Sequence, residues 1–251
     1  MSIAKIPFTT AALVGLHVTY TTPNPASEGE GKLAGGEYRL PYFFPLIRKV
    51  RNNLASSTSN VSAKSLPQYF FATLAAAEIV TIVANFTKEL PISQRVVALL
   101  MASSDPDRIR ITPLSMLGAL LVACGGWARN KCYRELGKQF TFEVSIREDH
   151  KLVTTGPYAI VRHPSYTAMY LVEIGIVCFH ASRGSWLRES GVLDKNMGRI
   201  LVYGIIAVLV MPVLLLKVRW DKEDKMLKKE FGKRWDEWAQ RVPYAVLPGI
   251  L

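Results

Sequence analysis

Apolar residues in this chain come in blocks, and the charged residues lie between them. The blocks run over roughly 3–20, 67–86, 111–128, 164–182 and 198–217. About 18 or more apolar residues wound as a helix cross a hydrocarbon core. The pattern therefore predicts an all-α fold, a polytopic membrane helix bundle of about five transmembrane helices. The first block is the weakest, because Pro7 and His17 interrupt it. Lys5 ahead of a short apolar core also fits a cleaved signal peptide. No small-residue cleavage site follows, and a first membrane helix is the better reading.

The intervening stretches differ in kind. Residues 21–66 are polar and rich in Gly, Pro, Ser and Asn, with an aromatic run from Tyr38 to Ile47 suited to a membrane interface. Val96 to Ala102 is apolar but too short to span, and is expected at the interface. Residues 129–163 read as a long charged loop in which Lys138 to Val144 alternates and is expected to be extended. Gly and Ala positions in the third block suit close helix packing. Pro164 opens the fourth helix, where a missing N–H costs nothing, and Pro212 is expected to kink the fifth near its end. In 218–241, Trp220, Met226, Leu227, Phe231, Trp235 and Trp238 recur among Lys, Glu and Asp, which predicts one amphipathic surface or interfacial helix. Two regions follow: residues 1–136, with the first membrane helices and the polar loop, and residues 137–251, with a loop, two membrane helices and the charged helix.

Charge turns this pattern into a topology. The chain is 49% hydrophobic and 20% charged, with a net charge of +11. In a soluble protein that charge would point to nucleic acid. No recognition helix, basic aromatic sheet or zinc-finger spacing accompanies it, and membrane proteins gather Lys and Arg in their cytoplasmic loops. Residues 21–66, 129–163 and 217–251 hold 22 of the 31 Lys and Arg, which assigns them to the cytoplasmic side. The sequons at Asn60 and Asn85 fall on opposite sides in this scheme, and a glycan at Asn60 would overturn it. Cys124, Cys132 and Cys178 are odd in number and form no CxxC pair, so they read as buried free thiols and no metal site is expected.

The densest chemistry lies at 152–166, Leu-Val-Thr-Thr-Gly-Pro-Tyr-Ala-Ile-Val-Arg-His-Pro-Ser-Tyr. This basic, Gly-Pro-punctuated loop runs into an apolar helix whose N-terminus carries free N–H groups and partial positive charge. Tyr166, Tyr170 and Glu173 then recur at helical spacing. Glu173 and Glu78 are intramembrane carboxylates, which by default face a bundle interior or cavity. A second cluster is Arg219-Trp220-Asp221-Lys222-Glu223-Asp224, in which Arg219 and Glu223 are four apart and share a helix face. Taken alone, each cluster has a plain structural reading: His163 as a cap with an interfacial tyrosine belt, and Arg219–Glu223 as a solvated ion pair.

Together they resemble the isoprenylcysteine carboxyl methyltransferase family. Its Leu-Val-Thr-x-Gly-x-Tyr and Arg-His-Pro-Ser-Tyr stretches correspond to Leu152 to Tyr158 and Arg162 to Tyr166. Its Arg before a Glu-Glu pair, Phe-Gly and Arg-Val-Pro correspond to Arg219, Glu223-Asp224, Phe231-Gly232 and Arg241-Val242-Pro243. The resemblance covers roughly 137–251, and the N-terminal part only in its helix pattern. It implies that His150, Lys151, Leu152, Val153, Tyr158, His163, Pro164, Ser165 and Tyr166 line a site for S-adenosylmethionine, that Glu223 completes it, and that Arg219 binds the carboxylate of a prenylated cysteine. It also implies residence in the endoplasmic reticulum membrane, with the catalytic face cytosolic. Asp224 departs from the second Glu, Ala168 stands where Gly is common, and Glu143 stands where Gln is often a cofactor contact.

The chemistry agrees with that assignment. A carboxylate is already ionised at neutral pH, so methylating it needs positioning and exclusion of water rather than a strong base. Three other readings compete with it. A phospholipid or other lipid-amine N-methyltransferase would share the cofactor, but a cation such as Arg219 has no use beside an amine nucleophile. A sterol reductase shares the Val242-to-Gly249 ending but generally has more helices. A non-catalytic membrane paralogue or scaffold would fit Asp224 and Ala168.

Overall fold

Proline marks where helices start in this chain. Pro91, Pro113 and Pro164 each sit at the first position of a helix, where the fixed φ is suitable and no hydrogen bond is lost. At Pro113 the start is reinforced by Thr112 and Ser115: Thr112 Oγ1 accepts from the Ser115 N–H, and Ser115 Oγ accepts from the Thr112 N–H. The computed structural model describes residues 3–21, 23–24, 66–102, 104–140, 151–214 and 216–249. Among the described residues every regular element is helical: α1 Lys5–Tyr20, α2 Leu66–Phe86, α3 Pro91–Met101, α4 Pro113–Leu136, α5 Pro164–Ala181, α6 Trp186–Glu189, α7 Asn196–Leu214, α8 Leu216–Phe231 and α9 Lys233–Arg241. Residues 25–65 of the polar loop, with Asn60 and the Tyr38–Ile47 run, and His150 and Glu143 lie outside the described residues.

Four boundaries differ from the sequence expectation. The third block continues as helix to Leu136, eight residues past 128, because Arg129, Cys132 and Tyr133 fall on the inward face and keep it packed. Lys138 and Gln139 form a 3-10 turn rather than the start of an extended run. The charged tail is two helices, not one: Gly232, at φ 52°, breaks it between α8 and α9. In place of a kinked helix reaching 217, α7 ends at Leu214, two residues after Pro212, and α8 begins at Leu216. Of the cysteines, only Cys132 is buried; Cys124 is exposed, because it points outward from α4.

α4 is the spine, with α1 against one side and α5 against another. Both contacts depend on missing side chains. A Cβ on Gly118 would stand 2.6 Å from the Phe179 nitrogen, and one on Gly126 would stand 2.7 Å from the Gly15 Cα. The backbones approach at these points as closely as the small residues of this block suggested. Ala12, Leu16, Phe71, Val122, Val172 and Ile176 fill the core among α1, α2, α4 and α5.

Buried charge closes the other end of the bundle. Lys5 Nζ lies 2.7 Å from Glu78 Oε2, and both side chains are buried. Glu78 also accepts from the Thr9 hydroxyl and the Trp186 N–H, while Lys5 donates to the Gly184 carbonyl. These bonds tie α1, α2 and the α5–α6 turn into one unit. Glu173 is buried in α5 and accepts from the Tyr20 hydroxyl. Both carboxylates thus face the interior of the bundle. Among the described residues, one helical stretch, Gln68–Phe86, is long and apolar enough to cross a membrane. α4 and α5 have the length but carry Arg129 and Asn130, and Tyr166, Glu173 and His180.

Candidate functional site

The start of α5 meets α8 and the chain's last described segment. Pro243 to Val246 runs back across the bundle, and its carbonyls serve as acceptors. The Arg162 N–H donates to the Tyr244 carbonyl at 2.9 Å, the His163 N–H to the Ala245 carbonyl at 2.7 Å, and the Thr167 hydroxyl to the Val246 carbonyl at 2.6 Å. Tyr166, Leu216, Trp220, Ala245 and Val246 pack beneath this crossing. The tail therefore supplies backbone acceptors to a loop that would otherwise bury unpaired donors.

On that platform the two sequence clusters interlock. His163 Nε2 is 3.0 Å from Asp224 Oδ1, and Nδ1 is 3.3 Å from Glu223 Oε2. Arg162 Nε and a terminal nitrogen both reach Asp224 Oδ2 at 3.2 Å. The Tyr166 hydroxyl donates to Glu223 Oε1 at 2.5 Å and accepts from Arg219 Nε at 2.9 Å. Arg219 lies 3.8 Å from Glu223, the i, i+4 pair expected from the sequence. Its side chain is about one-third exposed, whereas that of His163 is 5% exposed.

These contacts set the charges. Burial works against a charged His163, but the hydrogen bonds and negative charges of Asp224 and Glu223 override it and raise its pKa to about 9. Burial likewise works against charge on Glu223 and Asp224. His163 outweighs it in both, helped by Arg219 at Glu223 and by Arg162 at Asp224, so both carboxyls titrate below their usual range. At neutral pH the site holds an imidazolium between two carboxylates.

An apolar cluster adjoins the polar one. Tyr158, Cys132, Trp238 and Val242 are buried together, with Leu136, Leu152, Val153 and Trp235 packed against them. The Trp238 Nε1–H donates to the Tyr158 carbonyl at 3.2 Å. Burial, followed by the nearby Cys132 and Glu223, keeps the Tyr158 phenol neutral by pushing its pKa well up. Of the residues singled out from the sequence, His163, Pro164, Tyr166, Arg219 and Glu223 gather at the polar cluster, and Leu152, Val153 and Tyr158 at the apolar one. Ser165 faces α4, where Arg129 bonds its carbonyl at 2.9 Å and also its hydroxyl. Lys151 is exposed, and its N–H donates to Gln139.

Sequence reasoning gave Asp224 too little weight, named Arg162 in its motif without a role, and passed over Arg129. Asp224 looked like a shortened Glu, yet it holds both basic groups of the loop. Arg162 carried a signal, being the cation immediately before His163. Arg129 carries none, because the sequence places it at the start of the charged loop. Among the described residues no group of three or more His, Cys, Asp or Glu could hold a metal ion.

Among the described residues, an all-helical scaffold joins an Arg-His-Pro-Ser-Tyr helix start to a basic–acidic helix. Residues 117–184, covering most of α4 through α5, match the model of the isoprenylcysteine carboxyl methyltransferase (ICMT) family, which bears out the resemblance read from the motifs. The chain is 29% identical over 135 residues to protein-S-isoprenylcysteine O-methyltransferase B of Arabidopsis thaliana, covering 53% of this chain and 59% of that protein. It is 28% identical over 134 residues to the protein-S-isoprenylcysteine O-methyltransferase of Schizosaccharomyces pombe, covering 53% and 48%. To the Homo sapiens protein of the same name it is 38% identical over 72 residues, covering 28% and 25%. The chain spans about half the length of the first relatives it matches.

Proposed function

We propose that this protein is a membrane-embedded methyltransferase that esterifies the C-terminal carboxylate of a prenylated cysteine, using S-adenosylmethionine. The observation that carries this reading is the interlock of His163 and Tyr166 with Glu223 and Asp224, which joins two motif clusters 57 to 61 residues apart into one site. The helical scaffold is read as a bundle of about five membrane-crossing helices. The loop, α8 and α9 lie at its cytosolic face, in the endoplasmic reticulum membrane as in the family.

The residues suit the cofactor. The mixed acidic and basic cluster at His163, Arg162, Glu223 and Asp224 is complementary to a zwitterionic amino acid, and the apolar, aromatic surroundings of Tyr158 to a purine. A buried indole N–H at Trp235 has no partner among the described residues. When bound, S-adenosylmethionine supplies an electrophilic methyl group on a sulfonium sulfur. Tyr158, His163, Pro164, Tyr166 and Glu223 hold it, with Leu152 and Val153 as apolar walls; His150, Lys151 and Ser165 belong to the same assigned set. Arg219, partly exposed beside Tyr166, grips the prenylcysteine carboxylate and orients it. The prenyl chain reaches Arg219 from the lipid between helices. An amine substrate is disfavoured by the same Arg219.

The deciding experiment reconstitutes the chain in vesicles with labelled S-adenosylmethionine and a farnesylated cysteine analogue. Label should appear in a base-labile methyl ester on the analogue. Transfer to phosphatidylethanolamine instead, or to neither acceptor, would overturn the proposal.

A further inference from the structure

Three buried side-chain polar atoms among the described residues have no hydrogen-bond partner: Glu173 Oε2, Trp186 Nε1 and Trp235 Nε1. An orphaned buried donor costs about 1–3 kcal/mol, so each calls for an explanation. Glu173 still accepts from Tyr20 through its other oxygen. Trp186 lies at the opposite end of the bundle, in the Lys5–Glu78 network, where its backbone N–H is the working group. Trp235 lies against Leu152, Val153 and Tyr158. Those are loop residues assigned above to the cofactor.

The two indoles of α9 differ in a telling way. Trp235 and Trp238 are three residues apart and share a helix face. Both pack into the Tyr158 cluster. Trp238 donates to the Tyr158 carbonyl, so its N–H is used by the protein. The Trp235 N–H is buried against the same cluster with no such acceptor among the described residues. The Lys228 ammonium lies over the Trp235 ring, 5.5 Å from its centroid, and is held by Asp236 at 2.7 Å. The cation covers one face of the ring, and the indole N–H has no acceptor among the described residues. A phenylalanine would fill much of the same apolar space without an orphaned donor.

We propose that the Trp235 indole N–H donates a hydrogen bond to the nucleoside half of the bound S-adenosyl group. Leu152, Val153 and Tyr158, the neighbours of Trp235, would flank that group. This rests on the cofactor reading given above and adds a specific ligand contact from α9. The division of chemistry supports the nucleoside half: the polar cluster at His163 and Glu223 suits the charged amino-acid half, and the aromatic pocket suits the purine and ribose.

Binding rather than turnover tests it. The full chain in lipid nanodiscs is titrated calorimetrically with S-adenosylhomocysteine and with 5′-methylthioadenosine, which lacks the amino-acid half. Trp235→Phe should weaken both ligands by a similar factor, about tenfold. Trp238→Phe separates loss of this donor from general disturbance of the pocket. In the wild-type chain, the Trp235 indole proton, assigned by its absence in the Phe variant, should move downfield and exchange more slowly when S-adenosylhomocysteine is added. Affinities within twofold of wild type for Trp235→Phe, an unmoved indole proton, or a loss confined to S-adenosylhomocysteine would each overturn the inference while leaving the cofactor reading intact. Failure of the wild-type chain to bind S-adenosylhomocysteine would overturn both.

Discussion

His163 Nε2 lies 3.0 Å from a carboxylate oxygen of Asp224, a residue 61 positions further along the chain. The other ring nitrogen faces Glu223, and Arg162 shares the Asp224 carboxylate. One buried imidazole thus joins the first turn of α5 to α8. Four charged groups in so small a space hold each other in place only if all are present.

Asp224→Asn should release both Arg162 and His163. Hydrogen bonds to charged partners are worth about 1.5–3 kcal/mol, so thermal unfolding of the chain in detergent should show a loss of about that size. The His163 pKa should fall from about 9 toward its ordinary value, read by NMR of histidine-labelled protein. Asp224→Glu should retain most of both properties. An unmoved His163 titration in the Asn variant would show that Asp224 does not set its charge.

The pH dependence follows from the direction of the shifts. The folded pKa of His163 is raised from 6.5 to about 9, so its contribution is fully present below 6.5 and is lost as pH rises through 9. The folded pKa values of Glu223 and Asp224 are lowered, so their contribution is present above the usual carboxylate range and is lost as pH falls below it. Thermal stability should therefore be greatest between the carboxylate range and about 6.5, and should decline toward pH 9 by up to about 3 kcal/mol. His163→Gln should flatten the alkaline limb. Parallel curves for the two proteins would contradict the assignment.

Arg219→Ala should lower kcat/KM for a prenylcysteine analogue by well over about tenfold, because a charge-assisted contact to the carboxylate is lost. Affinity for S-adenosylhomocysteine should change by less than about threefold. A small effect is expected because Arg219 also bonds Tyr166. Equal losses in the two measurements would remove Arg219 from the substrate role.

Lys5→Ala should be more damaging than replacing both members of its pair. It leaves the Glu78 carboxylate buried without a counter-ion, at a cost of about 3–5 kcal/mol. The double replacement Lys5→Met, Glu78→Leu should recover much of the loss. Unfolding midpoints of the two variants in the same detergent decide the point, and a double variant no better than Lys5→Ala would refute it.

Much of the site is legible in the amino-acid sequence. The Arg162-to-Tyr166 and Arg219-to-Asp224 motifs name the two halves, and helical spacing correctly pairs Arg219 with Glu223. Less legible is what each motif residue touches. Ser165 and Tyr166 are neighbours in sequence, yet one faces Arg129 in α4 and the other Glu223 in α8. Adjacent positions on a helix point about 100° apart, so a motif fixes identity without fixing direction. The short arm of Asp224 suggests a weaker role than it has, because its distance from His163 is not a property of the sequence.

The sequence by itself determined the helical blocks, their proline starts, the small residues of α4 and the chemical character of the loop and tail. These depend on local backbone preferences and on the alternation of apolar and charged segments, which act over a few residues. Tertiary structure alone decided that Lys5 meets Glu78, that Pro243 to Val246 covers the backbone of Arg162 and His163, and that the Trp235 donor finds no acceptor among the described residues beside Tyr158. Each of those is a contact or an absence created by chain segments far apart in sequence. Only the packing of whole helices, with Gly118 and Gly126 setting how closely they approach, brings them to hydrogen-bonding distance.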